Sequence, residues 1–184
     1  MLALQVILYF GCEFFQKNLH YIDIELDKRI PVIPIFVLVY VLWFPVIALF
    51  PISLYNASPL LYRPYMFTWI TVLIVSIIIY MVYPTTFDRP KNLDDYAFGF
   101  LLKFIYKSSY RGLNCMPSLH CSMSTMVIVF AIASAMTLRL KLIYVITSFG
   151  IIVSTLFTKQ HVILDVVTGV GLGLLLSIVF LFFY

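Results

Sequence analysis

The sequence predicts an all-α protein: a polytopic membrane helical bundle of about six transmembrane helices, forming one domain over residues 1–184. Three observations lead there. Of 184 residues, 63% are apolar and only 11% are charged, whereas soluble domains carry about 25% charged residues. The apolar residues gather in runs close to the roughly 20 needed to cross the hydrocarbon core of a bilayer. The polar residues collect in the connections between those runs.

The runs follow in order. Residues 1–15 are apolar but short, and Gln5 and Glu13 interrupt them. This run is read as a span in preference to a helix lying at the interface. It lacks a basic n-region and a small-residue cleavage pattern, so it reads as retained protein, not as a signal peptide. Residues 31–52, 65–83, 118–136, 140–157 and 162–184 approach or meet the length of a span. Residues 16–29 form a polar connection with Asp23, Glu25, Asp27, Lys28 and Arg29. Residues 53–64 form a short connection ending at Pro64, and 85–116 the longest polar segment. A tight turn at 138–141 holds Arg139 and Lys141, and 158–161 is shorter still. Residues 94–109 carry Lys103 and Lys107 four apart among apolar residues, which fits either an interfacial helix or a lid loop.

If all six runs cross, connections 16–29, 85–116 and 158–161 share one face. They hold nearly every acid and most of the bases; the other face holds only Arg63, Arg139 and Lys141. The Arg139–Lys141 turn belongs in the cytoplasm by the positive-inside rule, which puts the crowded face outside it.

Composition also excludes some classes. The formal charge of +4 comes with no basic run, so no nucleic-acid partner is indicated. Three cysteines without a CxxC pair give no disulfide framework, and three histidines without metal spacing give no metal site. No cofactor is expected.

Three polar constellations carry chemistry. His161 and Asp165 lie four apart, on one face of a helix, where the carboxylate can fix the imidazole tautomer and stabilise its cation. Ionisable residues this close to a span are costly and mark sites; the alternative is a polar pair at a helix start. Pro117-Ser118-Leu119-His120 opens an apolar run. Its first backbone N–H groups, Ser118 among them, lack intrahelical partners and suit a phosphate. Arg89-Pro90 supplies a guanidinium able to grip phosphoryl oxygens. Together these residues offer a nucleophile, an acid and cations for phosphoryl transfer without a metal.

The order and spacing of these residues resemble the type 2 phosphatidic acid phosphatase superfamily over roughly the C-terminal 100 residues. Pro117-Ser118-Leu119-His120 matches its Pro-Ser-x-His part. Ser154, His161 and Asp165 match its last part, and Arg89-Pro90 half of its first. The resemblance implies a six-helix layout, His161 as nucleophile, Asp165 as its partner and His120 as general acid. Arg89, Ser118 and Lys159 would bind the phosphoryl group. Two family cations are absent, since Val82 and Thr155 stand in their places. Lys159 could replace one, and Lys91 or Arg111 the other.

The Thr-Lys-Gln-His run resembles the branch containing inositol phosphorylceramide synthase. The implied substrate is a lipid phosphate, with membrane lipids as surroundings. Water as acceptor gives a phosphatase; a lipid or inositol hydroxyl gives a phosphotransferase. A non-catalytic transporter or scaffold is the remaining class, and neither a repeat nor a broken helix favours it. Gly169 and Gly173 read as a face for close helix packing.

Overall fold

A computed structural model gives the fold; it describes residues 2–16, 18–90, 92–93, 96–108 and 112–183. Helix α1 is Leu2–Cys12 and runs into one 3-10 turn, Glu13–Phe15. Strand β1, His20–Tyr21, and the short α2, Glu25–Arg29, follow. A 3-10 turn at Pro34–Phe36 leads into α3, Val37–Tyr40, and α4, Trp43–Ala57. Then come α5, Pro59–Val82, strand β2, Thr85–Thr86, and α6, Gly99–Ser108. The chain closes with α7, Leu119–Ala133, α8, Leu138–Phe157, and α9, Ile163–Phe183.

Among the described residues, four segments are long and apolar enough to cross a membrane: Pro34–Ala57, Pro59–Val82, Leu138–Phe157 and Ile163–Phe183. Four of the six expected spans therefore meet the length. Gln5–Phe15 and Leu119–Ala133 are apolar but shorter. At about 1.5 Å per residue, the 15 residues of α7 reach about 22 Å, short of the roughly 30 Å hydrocarbon core. Ser118 caps α7 at one end, and at the other the chain leaves the helix at Ser134, whose hydroxyl turns back onto the Ala131 carbonyl at 2.8 Å.

Helix α7 is the centre of the bundle. It packs against α4, α5, α8 and α9. Met126, Val127, Phe130 and Ala131 are fully enclosed. A helix surrounded by other helices need not match the bilayer, because its neighbours meet the lipid.

The loop expected at 53–64 is mostly helix. Helix α4 continues through Pro51 to Ala57, and α5 starts immediately at Pro59 with Pro64 inside it. Proline at the first helical position loses no bond, because its missing N–H would be unpaired there anyway. The break narrows to Ser58, whose Oγ accepts the Ala135 N–H at 2.7 Å.

On the polar face, β1 and β2 pair in parallel, His20 opposite Thr85 and Tyr21 opposite Thr86. His20 is exposed and stacks on Tyr83, ring centroids 4.1 Å apart. Helix α1 is fastened by polar side chains. Gln5 accepts the Trp69 indole N–H at 3.0 Å. Gln16 donates to Asn114 Oδ1, and Asn114 Nδ2 donates to the Tyr9 carbonyl at 2.8 Å. In an apolar surrounding such bonds hold because neither partner can turn to water. Helix α6 seats Leu102 against Val37 and Leu93 and leaves Phe100 and Phe104 exposed.

Candidate active site

The turn between α8 and α9 is made by its own backbone. Thr155 carbonyl accepts the N–H groups of Gln160 at 3.0 Å and His161 at 3.2 Å. Thr158 Oγ donates to the Ser154 carbonyl at 2.7 Å. Lys159 takes a left-handed conformation, φ 48°, that lets so short a turn reverse the chain. His161 is thereby delivered to the foot of α9, one turn from Asp165.

Asp165 is completely buried. Its Oδ2 accepts from His161 Nδ1 at 2.8 Å and from the Val162 N–H at 3.1 Å. A carboxylate only accepts, so Nδ1 carries the proton and the lone pair of His161 is on Nε2. Asp165 also lies in the first turn of α9, where the helix dipole favours negative charge.

His120 comes from the first turn of α7. Ser118 is the N-cap, and its hydroxyl accepts the Cys121 N–H at 3.3 Å. Pro117 therefore precedes the cap. The expectation of a free Ser118 N–H is corrected: that group donates to the Asp165 carbonyl at 3.1 Å. The His120 ring lies 5.7 Å from that of His161. It is clasped by Tyr40, stacked at 4.6 Å, and Trp43, tilted at 4.4 Å. His120 Nε2 is buried without a partner among the described residues.

Glycines set the distance between the two histidine-bearing helices. A Cβ on Gly169 would stand 2.6 Å from the Ser118 carbonyl oxygen, and Gly173 is just as tight against Ser122. The close-packing face read from the sequence therefore lies inside the bundle, between α9 and α7.

The cations fall as follows. Arg89 donates through Nη2 to Gln160 Oε1 at 3.3 Å and lies over the rings of Phe87 and Tyr106. It thus reaches the residue beside His161. Tyr106 of α6 donates to the Thr158 carbonyl at 2.8 Å, closing α6 over the turn. Lys159 donates to the Asp27 carbonyl at 2.6 Å, and burial draws its ammonium below the usual lysine range. Lys91 and Arg111 lie outside the described residues. Val82 is exposed on α5, and Thr155 is buried with its hydroxyl on the Ile152 carbonyl.

Sequence reasoning missed Asp27. Its carboxylate accepts the Ile24 N–H with one oxygen and the Ile163 N–H with the other, both at 2.9 Å. It thus binds α2 to the first residue of α9, from 136 positions away. Nothing periodic in 16–29 announces this. Tyr40 and Trp43 were equally hidden, since both sit in an apolar run.

A cavity of about 150 Å³ adjoins the two histidines. Its walls come from α1, from Tyr40, Trp43 and Phe44, from Ile105 of α6, and from Asn114 and Leu119. Val6, Phe10 and Phe44 are 52%, 42% and 54% exposed, so the outer rim lies between α1 and α4 among apolar side chains. Among the described residues, no three His, Cys, Asp or Glu side chains converge to hold a metal ion.

Two imidazoles, one of them bonded through Nδ1 to a buried carboxylate, thus stand together at an apolar chamber. A family model described as PAP2 superfamily matches residues 24–179, which leaves α1 upstream of the matched stretch. No curated protein and no solved structure matches the chain.

Proposed function

We propose, from the premise that this chain belongs to the PAP2 superfamily, that it is an integral-membrane lipid-phosphate phosphatase working through a phosphohistidine. Members of that superfamily are generally phosphatases or phosphotransferases of lipid phosphates. The observation that carries the reading is the His161–Asp165 pair at 2.8 Å with the His120 ring 5.7 Å away, beside an apolar cavity.

The chemistry balances on these groups. His161 Nε2 attacks phosphorus while the bond to the leaving oxygen breaks, which is the lipid ester oxygen of a phosphomonoester or the bridging oxygen of a diphosphate, and protonated His120 gives its proton to that oxygen. Asp165 stabilises the positive charge that develops on His161. Water then attacks the phosphohistidine, His120 takes its proton, and the P–N bond pair returns to Nε2. Arg89 grips the phosphoryl oxygens, and Ser118 supports the start of α7. Phosphatidic acid, phosphatidylglycerophosphate and prenyl diphosphates are the substrate types. No metal or cofactor enters these steps.

A lipid phosphotransferase uses the same intermediate with an alcohol in place of water. The Thr-Lys-Gln-His run before Val162 favours that second reading, through its likeness to the inositol phosphorylceramide synthase branch. The site is assigned to the extracytoplasmic face, opposite the Arg139–Lys141 turn. Labelling of a cysteine introduced at Asp23 in intact cells reports that side.

The functional test is phosphate release from a panel of lipid phosphates by wild type and His161→Ala, with trapping of acid-labile phosphate on the protein. Equal release by both proteins ends the proposal. Turnover only with an added alcohol selects the transferase.

A further inference from the structure

Helix α6 is fixed near both ends. Gly99 opens it, and a Cβ there would collide with the Leu93 carbonyl oxygen, so the first turn lies directly on that backbone. Leu102 is fully buried against Val37 and Leu93, and Tyr106 donates to the Thr158 carbonyl at 2.8 Å. A lid on a hinge would not be fastened in this way. Ile105, on the inner side, lines the cavity beside the two histidines, and Arg89 lies over the Tyr106 ring at 5.2 Å.

The outer side is different. Phe100 and Phe104, one turn apart, are 71% and 70% exposed, and Lys107 is exposed on the same side. Lys103 is half-buried beside them. Exposed aromatic rings with lysines among them are the pattern of a helix that lies at a membrane surface.

The place of α6 in the fold says what covers that side. Val37 lies in the first turn of the span Pro34–Ala57, and Thr158 directly follows the span Leu138–Phe157. The two span ends are joined, because the Ile33 N–H donates to the Phe157 carbonyl at 2.9 Å. Helix α6 touches both, so it lies at the level where spans leave the hydrocarbon core. In a bilayer that level is the headgroup layer.

We propose that the outer face of α6 docks in the phospholipid headgroup layer of this chain's own membrane, and that this seat holds the turn bearing His161. Phe100 and Phe104 reach the acyl boundary, and Lys107 lies at the lipid phosphates. Through Tyr106 the seat fixes the Thr158 carbonyl, three residues before His161. The seat is the same whichever reaction the two histidines perform.

The test places a nitroxide at Phe104→Cys in the full chain in phosphatidylcholine nanodiscs. Cys12, Cys115 and Cys121 are buried and leave the label to the new thiol. Collisions with oxygen, which concentrates in lipid, and with a water-soluble nickel chelate give its depth. The label should meet oxygen in preference to nickel, about 5–10 Å into the headgroup and acyl boundary. A label at Asp23→Cys, in the exposed polar connection, should meet nickel. Hydrogen exchange of the Gln160 and His161 amides then reads the turn. Phe100→Ser combined with Phe104→Ser should speed it about fivefold, the effect of losing one hydrogen bond. Tyr106→Phe should do the same with the label at unchanged depth.

Nickel reaching the Phe104 label as freely as the Asp23 label overturns the proposal, because the face then lies in water. Shielding from both reagents also overturns it and assigns the face to a protein, a second copy of this chain included. Exchange unchanged by the serine pair overturns it too, since the turn then stands without the seat. If the serine pair does not fold, the label depth and Tyr106→Phe decide. None of these readouts uses turnover, so failure here leaves the phosphatase reading standing.

Discussion

Ser118 N–H donates to the carbonyl oxygen of Asp165 at 3.1 Å, so the cap of the helix carrying His120 is bonded to the acid that orients His161. The two halves of the site are joined by backbone, not by side chains that can swing. Their separation is consequently a property of the α7–α9 crossing.

Gly169 tests that crossing. Gly169→Val places a branched side chain 2.6 Å from the Ser118 carbonyl oxygen, and overpacking of this kind costs about 1–3 kcal/mol. The expected result is a fall in Tm of several degrees together with a loss of most lipid-phosphate turnover. Gly171→Val is the control, because a Cβ there meets nothing within 4 Å. Thermal unfolding and turnover of the two variants in the same detergent decide the matter; equal behaviour removes the crossing from the account.

Asp165→Asn keeps the shape and removes the charge. The amide leaves the His161 cation unsupported and allows the wrong tautomer, so kcat should fall by about a hundredfold or more with KM little changed. Steady-state kinetics check this. A rise in KM alone would mean that Asp165 serves ground-state binding and not the chemical step.

Arg89→Lys keeps a cation but loses the planar fork. A bidentate grip on phosphoryl oxygens should cost about tenfold or more in KM, since tenfold is about 1.4 kcal/mol. Inhibition by inorganic phosphate should weaken by a similar factor. If both constants match wild type, Arg89 only supports Gln160.

Lys159 and Asp27 form a strap on either side of His161. Asp27→Asn replaces one carboxylate oxygen by an N–H₂ facing a backbone N–H, either that of Ile163 or that of Ile24. It should lower Tm and cut kcat more than it raises KM, the mark of a loosened His161. Lys159→Met should also lower Tm while changing kcat/KM by less than about tenfold, a change worth under 1.4 kcal/mol. A hundredfold rise in KM at unchanged Tm would instead seat the Lys159 ammonium on the substrate.

Much of the site was legible because chemistry at a helix start leaves fixed spacing. His161 and Asp165 four apart, and Ser118 two before His120, are short-range relations that a sequence displays directly. The long apolar runs were legible too, to within a few residues at most ends. What stayed hidden was long-range or apolar. Asp27 reaches Ile163 only after the chain has crossed the bundle, and Trp43 looks like any aromatic residue in a span. Apolar content also does not distinguish a helix facing lipid from one, like α7, enclosed by its neighbours. Proline misled in the same way at 53–64, where Pro59 starts a helix.

The rim of the cavity, between Val6 and Phe10 on one side and Phe44 on the other, faces sideways among apolar residues. A substrate arriving there is counted per unit of membrane area, not per litre of buffer. Turnover should then follow the mole fraction of lipid phosphate in the bilayer, and diluting it with inert lipid at constant total concentration should slow the reaction. The cell would regulate such an enzyme by what it mixes into the membrane.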